Sequence, residues 1–204
     1  MRWWVFIVML VLPTLAEAEV QLLGLAGWPV YQQQTNVTSA GAQQLGAARQ
    51  SFYPQVNPVY GGGATWWITD SIGVRADLIF SQPNIPPETG AIRGQKGWHQ
   101  RLTVGTLNVL GRWNLTDRLS PYGGLGLARA SSAQCDHIGC TPHTDNWGAV
   151  ATVGLHYRVW DRLGAFVEAR HVSTSFRHAN ESEGAFASEM NVTTVHIGLS
   201  WRLW

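Results

Sequence analysis

The chain has 204 residues and a formal net charge of +1, so it has no overall electrostatic attraction for nucleic acid. Its 22 glycines and 11 tryptophans, with only 13% charged residues, are typical of a tightly closed β-sheet that faces an apolar solvent. After residue 18, polar residues interrupt every apolar run, which excludes the stretch of about 20 apolar residues that a transmembrane helix needs.

The N-terminus has the pattern of a secretory signal peptide. Met1 and Arg2 form a short basic segment, residues 3–15 are mainly apolar, and Ala16 and Ala18 are the small residues that signal peptidase reads. The alternative is an uncleaved membrane anchor, for which the apolar stretch is short. We predict a signal peptide over residues 1–18 and one exported domain over residues 19–204.

Three similar segments indicate a repeated tight turn. Asp70, Asp117 and Asp161 each lie at the centre of such a segment, and they are spaced 47 and 44 residues apart. Aspartate favours strand reversals because its carboxylate can bond to the nearby backbone. A tilted membrane strand needs about 9–11 residues, so two strands, one short turn and one long loop account for this spacing.

Eight strands fit around these turns, at about residues 20–31, 58–69, 71–82, 100–115, 119–131, 147–160, 163–176 and 190–203. The aspartate turns are short, whereas the other four connections are long, near 32–57, 83–99, 132–146 and 177–189. Short turns at one end and long loops at the other are the topology of outer-membrane barrels. The sequence therefore predicts an all-β fold, an eight-stranded antiparallel up-and-down transmembrane β-barrel, with periplasmic termini and four extracellular loops.

Side-chain alternation indicates which face of each strand points inwards. In the last strand, Ile197 and Leu199 share one face, and His196 and Ser200 share the other. A soluble, lipocalin-like barrel would bury the apolar face. Here the apolar faces carry no polar residues, so we predict that they contact lipid. Aromatic residues near the short turns fit an interfacial girdle: Trp66, Trp67, Trp113, Tyr157, Trp160, Trp201 and Trp204.

The inward face is predicted to hold a network of charged side chains: Arg75, Asp77, Arg112, Arg158, Glu168 and Arg170. Side chains just fill an eight-stranded barrel, and buried charges must be paired, so Glu168 is expected to bridge neighbouring arginines. A polar structural core is the interpretation we favour. A narrow gated pore is the alternative.

Several segments resemble the OmpA-like and opacity-like family of outer-membrane β-barrels. They are YGGG at 60–63, SPYGGLGLA at 120–128, LGAFVEAR at 163–170 and IGLSWRL at 197–203. The last resembles the family's closing strand, which usually ends in aromatic-Arg-Phe, although Leu203 replaces the phenylalanine and Trp204 follows. The resemblance implies insertion by the barrel-assembly machinery and contact with outer-membrane lipid and lipopolysaccharide.

Cys135 and Cys140 lie close together in the third predicted loop. Export places them in an oxidising compartment, so we predict a disulfide between them. A zinc site with His137, His143 and Asp145 is the alternative, but the spacing matches no standard zinc pattern. We therefore predict no metal and no cofactor.

His171 and Ser173 are residue types that can form an acyl-transfer pair. By the alternation of side chains along the strand, both are predicted to face outwards. The arrangement resembles outer-membrane lipid A 3-O-deacylases, in which a lipid-facing His-x-Ser pair attacks an acyl ester. Histidine can act as the general base for serine. Glu189 is predicted to face outwards as well, so it could be the acid that orients the imidazole. Strand pairing about residue 183 would put Ser173 opposite Thr193 and Glu189 roughly 13 Å away.

The residues that follow this pair differ from those of the deacylases. That family has Asn-Ala-Gly after the serine, whereas this chain has Thr-Ser-Phe at 174–176. A polar rim at the headgroup level is the interpretation we favour. The sequence thus predicts a small integral outer-membrane barrel with a structural or surface-interaction role rather than an enzyme. A lipid A 3-O-deacylase and a narrow channel are the alternatives.

Overall fold

The computed structural model describes residues 18–38, 50–52, 58–81, 84–85, 98–135, 140–142, 146–180 and 184–203. The predicted signal peptide therefore lies outside the described residues except for Ala18. The strands in the described part are β1 (Glu19–Thr38), β2 (Gln50–Phe52), β3 (Val59–Trp67), β4 (Ile72–Ser81), β5 (Asn84–Ile85), β6 (Trp98–Arg112), β7 (Leu119–Cys135), β8 (Cys140–Pro142), β9 (Asn146–Arg158), β10 (Leu163–Asn180) and β11 (Gly184–Arg202). Among these residues, none belongs to a helix long and apolar enough to cross a membrane.

Eight long strands close into a barrel. Each pairs antiparallel with its neighbours in the order β1, β3, β4, β6, β7, β9, β10, β11, and β11 returns to pair with β1. The short strands β2, β5 and β8 add to β1, β6 and β7 at the long-loop end. The predicted closed, eight-stranded up-and-down barrel is confirmed.

In the first two of the three short turns, the threonine that precedes the predicted aspartate accepts a hydrogen bond from the backbone. In the first turn, the Thr69 hydroxyl accepts a hydrogen bond from the backbone N–H of Ile72 at 3.0 Å. The Thr116 hydroxyl accepts the same bond from Leu119 at 3.0 Å in the second turn. A threonine hydroxyl can bond to the nearby backbone as an aspartate carboxylate does, which accounts for the threonine in both segments.

The strands continue further at the long-loop end than predicted. β10 and β11 pair without interruption up to Asn180 and Gly184, so most of the predicted fourth loop at 177–189 is strand. β1 likewise continues to Thr38. At the short-turn end, β4, β7 and β10 each begin within one residue of the predicted position.

Side chains alternate between a packed interior and an exposed exterior. On β11, His196 is 0% exposed whereas Ile197 is 57% exposed, and Leu125 on β7 is 71% exposed. Such exposure of large apolar side chains on every barrel strand is expected where the surrounding solvent is lipid. The prediction that Trp67 belongs to the aromatic girdle is wrong. Its side chain points inwards, and the Arg112 guanidinium lies 4.2 Å from its ring centroid.

Candidate functional site

Four of the predicted charged residues meet in the middle of the barrel. Arg75 and Asp77 on β4 reach Glu168 and Arg170 on β10 across the interior, and their side chains are 0–3% exposed. Arg75 donates to Asp77 Oδ1 at 2.8 Å and to Glu168 Oε2 at 2.7 Å. Arg170 Nη2 donates to Glu168 Oε1 at 2.7 Å and to Asp77 Oδ2 at 3.1 Å. Each carboxylate therefore contacts both guanidinium groups, and the four charges cancel.

Neutral side chains from other strands complete this four-residue ring. Tyr122 on β7 donates its hydroxyl to Glu168 Oε2 at 2.7 Å. Thr106 on β6 donates to Asp77 Oδ2 at 3.2 Å, and Asn108 donates in turn to Thr106 at 3.1 Å. None of these three residues was among the predicted interior residues. The alternation along β7 could have identified Tyr122, because it shares the inward parity of Gly124 and Gly126.

His196 on β11 lies beside the ring and is fully buried. Its Nδ1 is 3.4 Å from Glu168 Oε1, which is an ion-pair distance without hydrogen-bond geometry. Within the described part of the chain, neither ring nitrogen of His196 has a hydrogen-bond partner, and the same holds for Nε and Nη1 of Arg170. The inward parity of His196 was evident in the sequence, but its proximity to Glu168 depends on the strand register.

The other two predicted members lie at the short-turn end. Arg112 forms an ion pair with Glu19 at 3.1 Å and donates to the Asp70 carbonyl at 2.6 Å, so it belongs to a separate cluster. The prediction that Arg158 lies inside the barrel is wrong, because its side chain is exposed. Arg158 has the inward parity but is the last residue of β9, where the wall of the barrel ends.

The ring lies between two further interior layers. Towards the long loops, seven apolar side chains pack together: Leu102, Val104, Ala128, Ala130, Val150, Val172 and Met190. Towards the short turns is a cavity of about 20 Å³, lined by Trp67, Arg112 and His156 among others. This volume is enough for about one water molecule, and among the described residues nothing accepts a hydrogen bond from the buried indole N–H of Trp67.

On the outside, His171 and Ser173 are both exposed on β10. His171 Nδ1 is 2.9 Å from the Thr193 hydroxyl on β11. Among the side chains that the structure describes, no hydrogen bond joins His171 to Ser173. The position beside the imidazole, where a catalytic acid would lie, is therefore taken by a threonine.

The register of β10 and β11 differs from the prediction. Ser173 pairs with Asn191 rather than Thr193, and Glu189 pairs with Ser175. The hairpin is centred on residue 182 rather than 183, and moving the centre by one residue shifts the pairing by two. The Glu189 backbone is thus two residues from the partner of Ser173, about 7 Å along the strand. The Glu189 side chain lies outside the described part of the structure.

Cys135 and Cys140 are direct partners in the β7–β8 ladder. Opposite residues of an antiparallel pair have Cα atoms about 4.5–5.5 Å apart, within the range of about 4.4–6.8 Å that a disulfide bridges. Their side chains are outside the described set, so the disulfide stays a prediction. His137, His143 and Asp145, the residues of the alternative zinc site, also lie outside the described residues.

The closed barrel and its apolar exterior agree with the family comparison. The family model for the outer membrane protein beta-barrel domain matches residues 7–202. The chain belongs to this family. It is a small outer-membrane β-barrel protein, and it is located in the outer membrane.

Solved structures with the same fold are distant in sequence. OprG from Pseudomonas aeruginosa is 14% identical, with 92% of this chain and 96% of that chain covered and a TM-score of 0.59. AlkL in lipid bilayers is 14% identical, with 92% and 90% covered and a TM-score of 0.59. Neisserial surface protein A is 10% identical, with 88% and 97% covered and a TM-score of 0.53. No curated protein sequence matches the chain. These likenesses bear on the fold alone.

Proposed function

We propose that this outer-membrane protein is a non-conducting barrel with a structural and surface-interaction role. The observation that carries the proposal is the filled interior. The ring of Arg75, Asp77, Glu168 and Arg170 is almost completely buried, and an apolar layer packs above it. An ion would have to displace both layers, because the apolar layer offers it no ligands and the charges of the ring are already paired with one another.

The long-loop end supports a role at the cell surface. β10 has 18 residues and β11 has 19, whereas about 9–11 are enough to cross a membrane. β1 pairs with β11 as far as Thr38, and β2 pairs with β1 on its other side. A sheet of four strands therefore continues beyond the apolar band and offers an ordered backbone to external partners.

The proposal is tested by conductance in planar lipid bilayers. We expect the folded protein to insert without producing discrete current steps, because the charged ring and the apolar layer each block the axis. Glu168→Ala is expected to remain non-conducting, since the apolar layer around Met190 stays in place. A water-filled porin inserted under the same conditions is the positive control. Regular steps from the parent protein would show that the interior opens, and would favour the narrow channel.

A second candidate function is acyl-ester hydrolysis on lipid A. It is favoured by the exposure of His171 and Ser173 on the lipid-facing side of β10 and by the register that brings the Glu189 backbone closer than predicted. It is disfavoured by Thr193, whose hydroxyl is paired with the imidazole. Threonine cannot supply the negative charge that stabilises an imidazolium in a catalytic triad.

Incubation with lipopolysaccharide separates the two functions. We expect no release of 3-hydroxy fatty acid by the parent protein, and no difference for His171→Ala, Ser173→Ala or the control Ser131→Ala, an exposed serine on β7. Mass spectrometry of the recovered lipid A measures the outcome. Loss of one acyl chain that is abolished equally by His171→Ala and Ser173→Ala, and not by Ser131→Ala, would establish the enzyme instead, because a base and its nucleophile act as a unit.

A further inference from the structure

Arg170 is completely buried, yet part of its guanidinium group has no protein partner. Nη2 donates to Glu168 and to Asp77, whereas Nε and Nη1 have no hydrogen-bond partner in the described part of the chain. These two nitrogens carry three N–H donors, and the side chain is 0% exposed. Buried N–H groups in native proteins are nearly always bonded to protein or to ordered water. The unpaired edge of Arg170 therefore indicates a bound molecule that accepts hydrogen bonds.

Two buried oxygen atoms on other strands also have no partner. They are the Thr152 hydroxyl on β9 and the Asn108 side-chain oxygen on β6, and among the described residues no group donates to either. Thr152 is the direct neighbour of Arg170 in the β9–β10 ladder. The Asn108 amide is oriented by its nitrogen, which donates to Thr106, whose hydroxyl donates to Asp77. The Asn108 oxygen is therefore the atom left to accept a hydrogen bond.

The strand between these two oxygen atoms carries only glycine on its inner face at this level. β7 lies between β6 and β9, and its inward residues here are Gly124, which pairs with Thr152, and Gly126, which pairs with Asn108. The Asn108 oxygen lies 2.8 Å from the position that a Cβ atom of Gly126 would take, so it covers the inner face of β7. β7 therefore contributes no side chain that separates the two oxygen atoms or bonds to them.

Arg170, Thr152 and Asn108 thus provide one donor group and two acceptors that do not bond to one another. A molecule that accepts from Arg170 and donates to both oxygen atoms would complete all three. Polar groups that face one another beyond direct hydrogen-bond distance are commonly bridged by water. A buried water molecule typically makes about three hydrogen bonds, which is the number that these groups require.

The charge balance of the ring distinguishes water from an ion. Its two guanidinium groups and two carboxylates cancel, and their side chains are 0–3% exposed. An anion beside Arg170 would add an uncompensated charge to this buried layer, which is strongly unfavourable, and it has no hydrogen to donate to Asn108. A cation would be repelled by the Arg170 guanidinium. Only a small neutral molecule that both donates and accepts fits these groups.

We propose that the barrel interior binds one ordered water molecule between Arg170, Thr152 and Asn108. The water accepts a hydrogen bond from the unpaired edge of the guanidinium and donates to the Thr152 hydroxyl and the Asn108 oxygen. It connects β9 to the charged ring by hydrogen bonds. The site concerns the solvent inside the barrel, so it goes beyond the proposed role at the cell surface.

Replacing Thr152 by valine tests whether its hydroxyl is hydrated. Thr152→Val keeps the shape of the side chain and removes a hydroxyl that bonds to no described protein group. We expect the equilibrium constant for unfolding in urea to rise by about tenfold, because the water and Arg170 lose a partner. A dry hydroxyl predicts the opposite sign: its removal would leave the constant unchanged or lower it, since an unpaired buried polar group would be gone.

Thr174→Val is the matched control. The Thr174 hydroxyl is also buried without a partner in the described residues, but its neighbours across the ladders are Gly148 and Met190, which have no polar side chain. We expect this variant to be as stable as the parent or more stable. Equal effects of the two substitutions would overturn the proposal, because the loss would then not depend on the position beside Arg170.

A crystal structure in which ordered solvent is visible tests the site directly and needs no variant. We expect one density peak within about 2.5–3.2 Å of Arg170, Thr152 and Asn108. Crystals in which bromide replaces chloride distinguish water from an anion, because bromide scatters anomalously. An anomalous peak here would overturn the proposal in favour of an anion site, and a position without density would overturn it by showing that the three groups are dry. The conductance measurement is separate, so this proposal and the proposed function fail independently.

Discussion

Replacing Glu168 by alanine is expected to lower the free energy of unfolding by about 3–5 kcal/mol, the typical cost of breaking a buried ion pair. Glu168 accepts hydrogen bonds from Arg75, Arg170 and Tyr122 and is 1% exposed. Without it, the interior holds two guanidinium groups and one carboxylate. The ring is shielded from bulk solvent, so the extra charge is poorly solvated and destabilises the folded state.

The measurement is urea unfolding of the protein in lipid vesicles, followed by the separation of folded and unfolded bands on unboiled gels. Asp161→Ala is the matched control, because it also removes one carboxylate but at an exposed turn, where surface charges contribute about 0–1 kcal/mol. We expect Asp161→Ala to unfold at the parent's urea concentration. If Glu168→Ala also did so, the ring would not contribute to the stability of the barrel.

A charge-balanced double variant separates charge from packing. Glu168→Leu combined with Arg170→Met leaves Arg75 and Asp77, whose side chains are in contact at 2.8 Å, as a neutral pair. Replacing a buried ion pair with apolar residues of similar size is often neutral or stabilising. The double variant is therefore expected to recover most of the stability that Glu168→Ala loses. Recovery relative to Glu168→Leu alone, which keeps the volume but leaves one arginine unpaired, would show that the loss comes from the unpaired arginine rather than from lost volume.

The sequence pattern predicted the membrane part of the strands but not their full length. On β10, apolar alternation ends near His171, yet the β10–β11 ladder continues to Asn180 and Gly184. The reason is that alternation reports contact with lipid, whereas backbone pairing needs no apolar side chains and continues into water. For the same reason the centre of that hairpin, and with it the partner of Ser173, could not be read from the pattern.

The interior charges were predictable as a set but not as a network. Strand parity places Arg75, Asp77, Glu168 and Arg170 inside the barrel, and their high desolvation cost demands that they pair. Which atoms meet depends on how far each strand is shifted against its neighbour, and the alternation of side chains along a strand gives no information on that shift. Parity also fails at strand ends, where Arg158 has the inward parity but is exposed.

Small residues on the inner face of β7 make room for this network, and they lead to the second large effect. Gly126 lies opposite Asn108 on β6. A Cβ atom at Gly126 would overlap the Leu107 carbonyl oxygen and lie 2.7 Å from the Asn108 Cα. Both obstacles are backbone atoms of the paired strand, so a side-chain rotation cannot relieve the contact. Asn108 in turn bonds to Thr106, which bonds to Asp77 in the ring.

We therefore expect Gly126→Ala to destabilise the barrel by about 3 kcal/mol, the upper end of the usual cost of overpacking. Gly105→Ala is the matched control on the adjacent strand, because the nearest atom to its added Cβ is the Arg129 carbonyl oxygen at an ordinary 3.9 Å. That variant should equal the parent or exceed it by about 0.4–1 kcal/mol, since alanine restricts the unfolded chain. Urea unfolding in vesicles compares the two. Equal midpoints would mean that β6 can move away from β7 at little cost, and that the interior is less tightly packed than these contacts require.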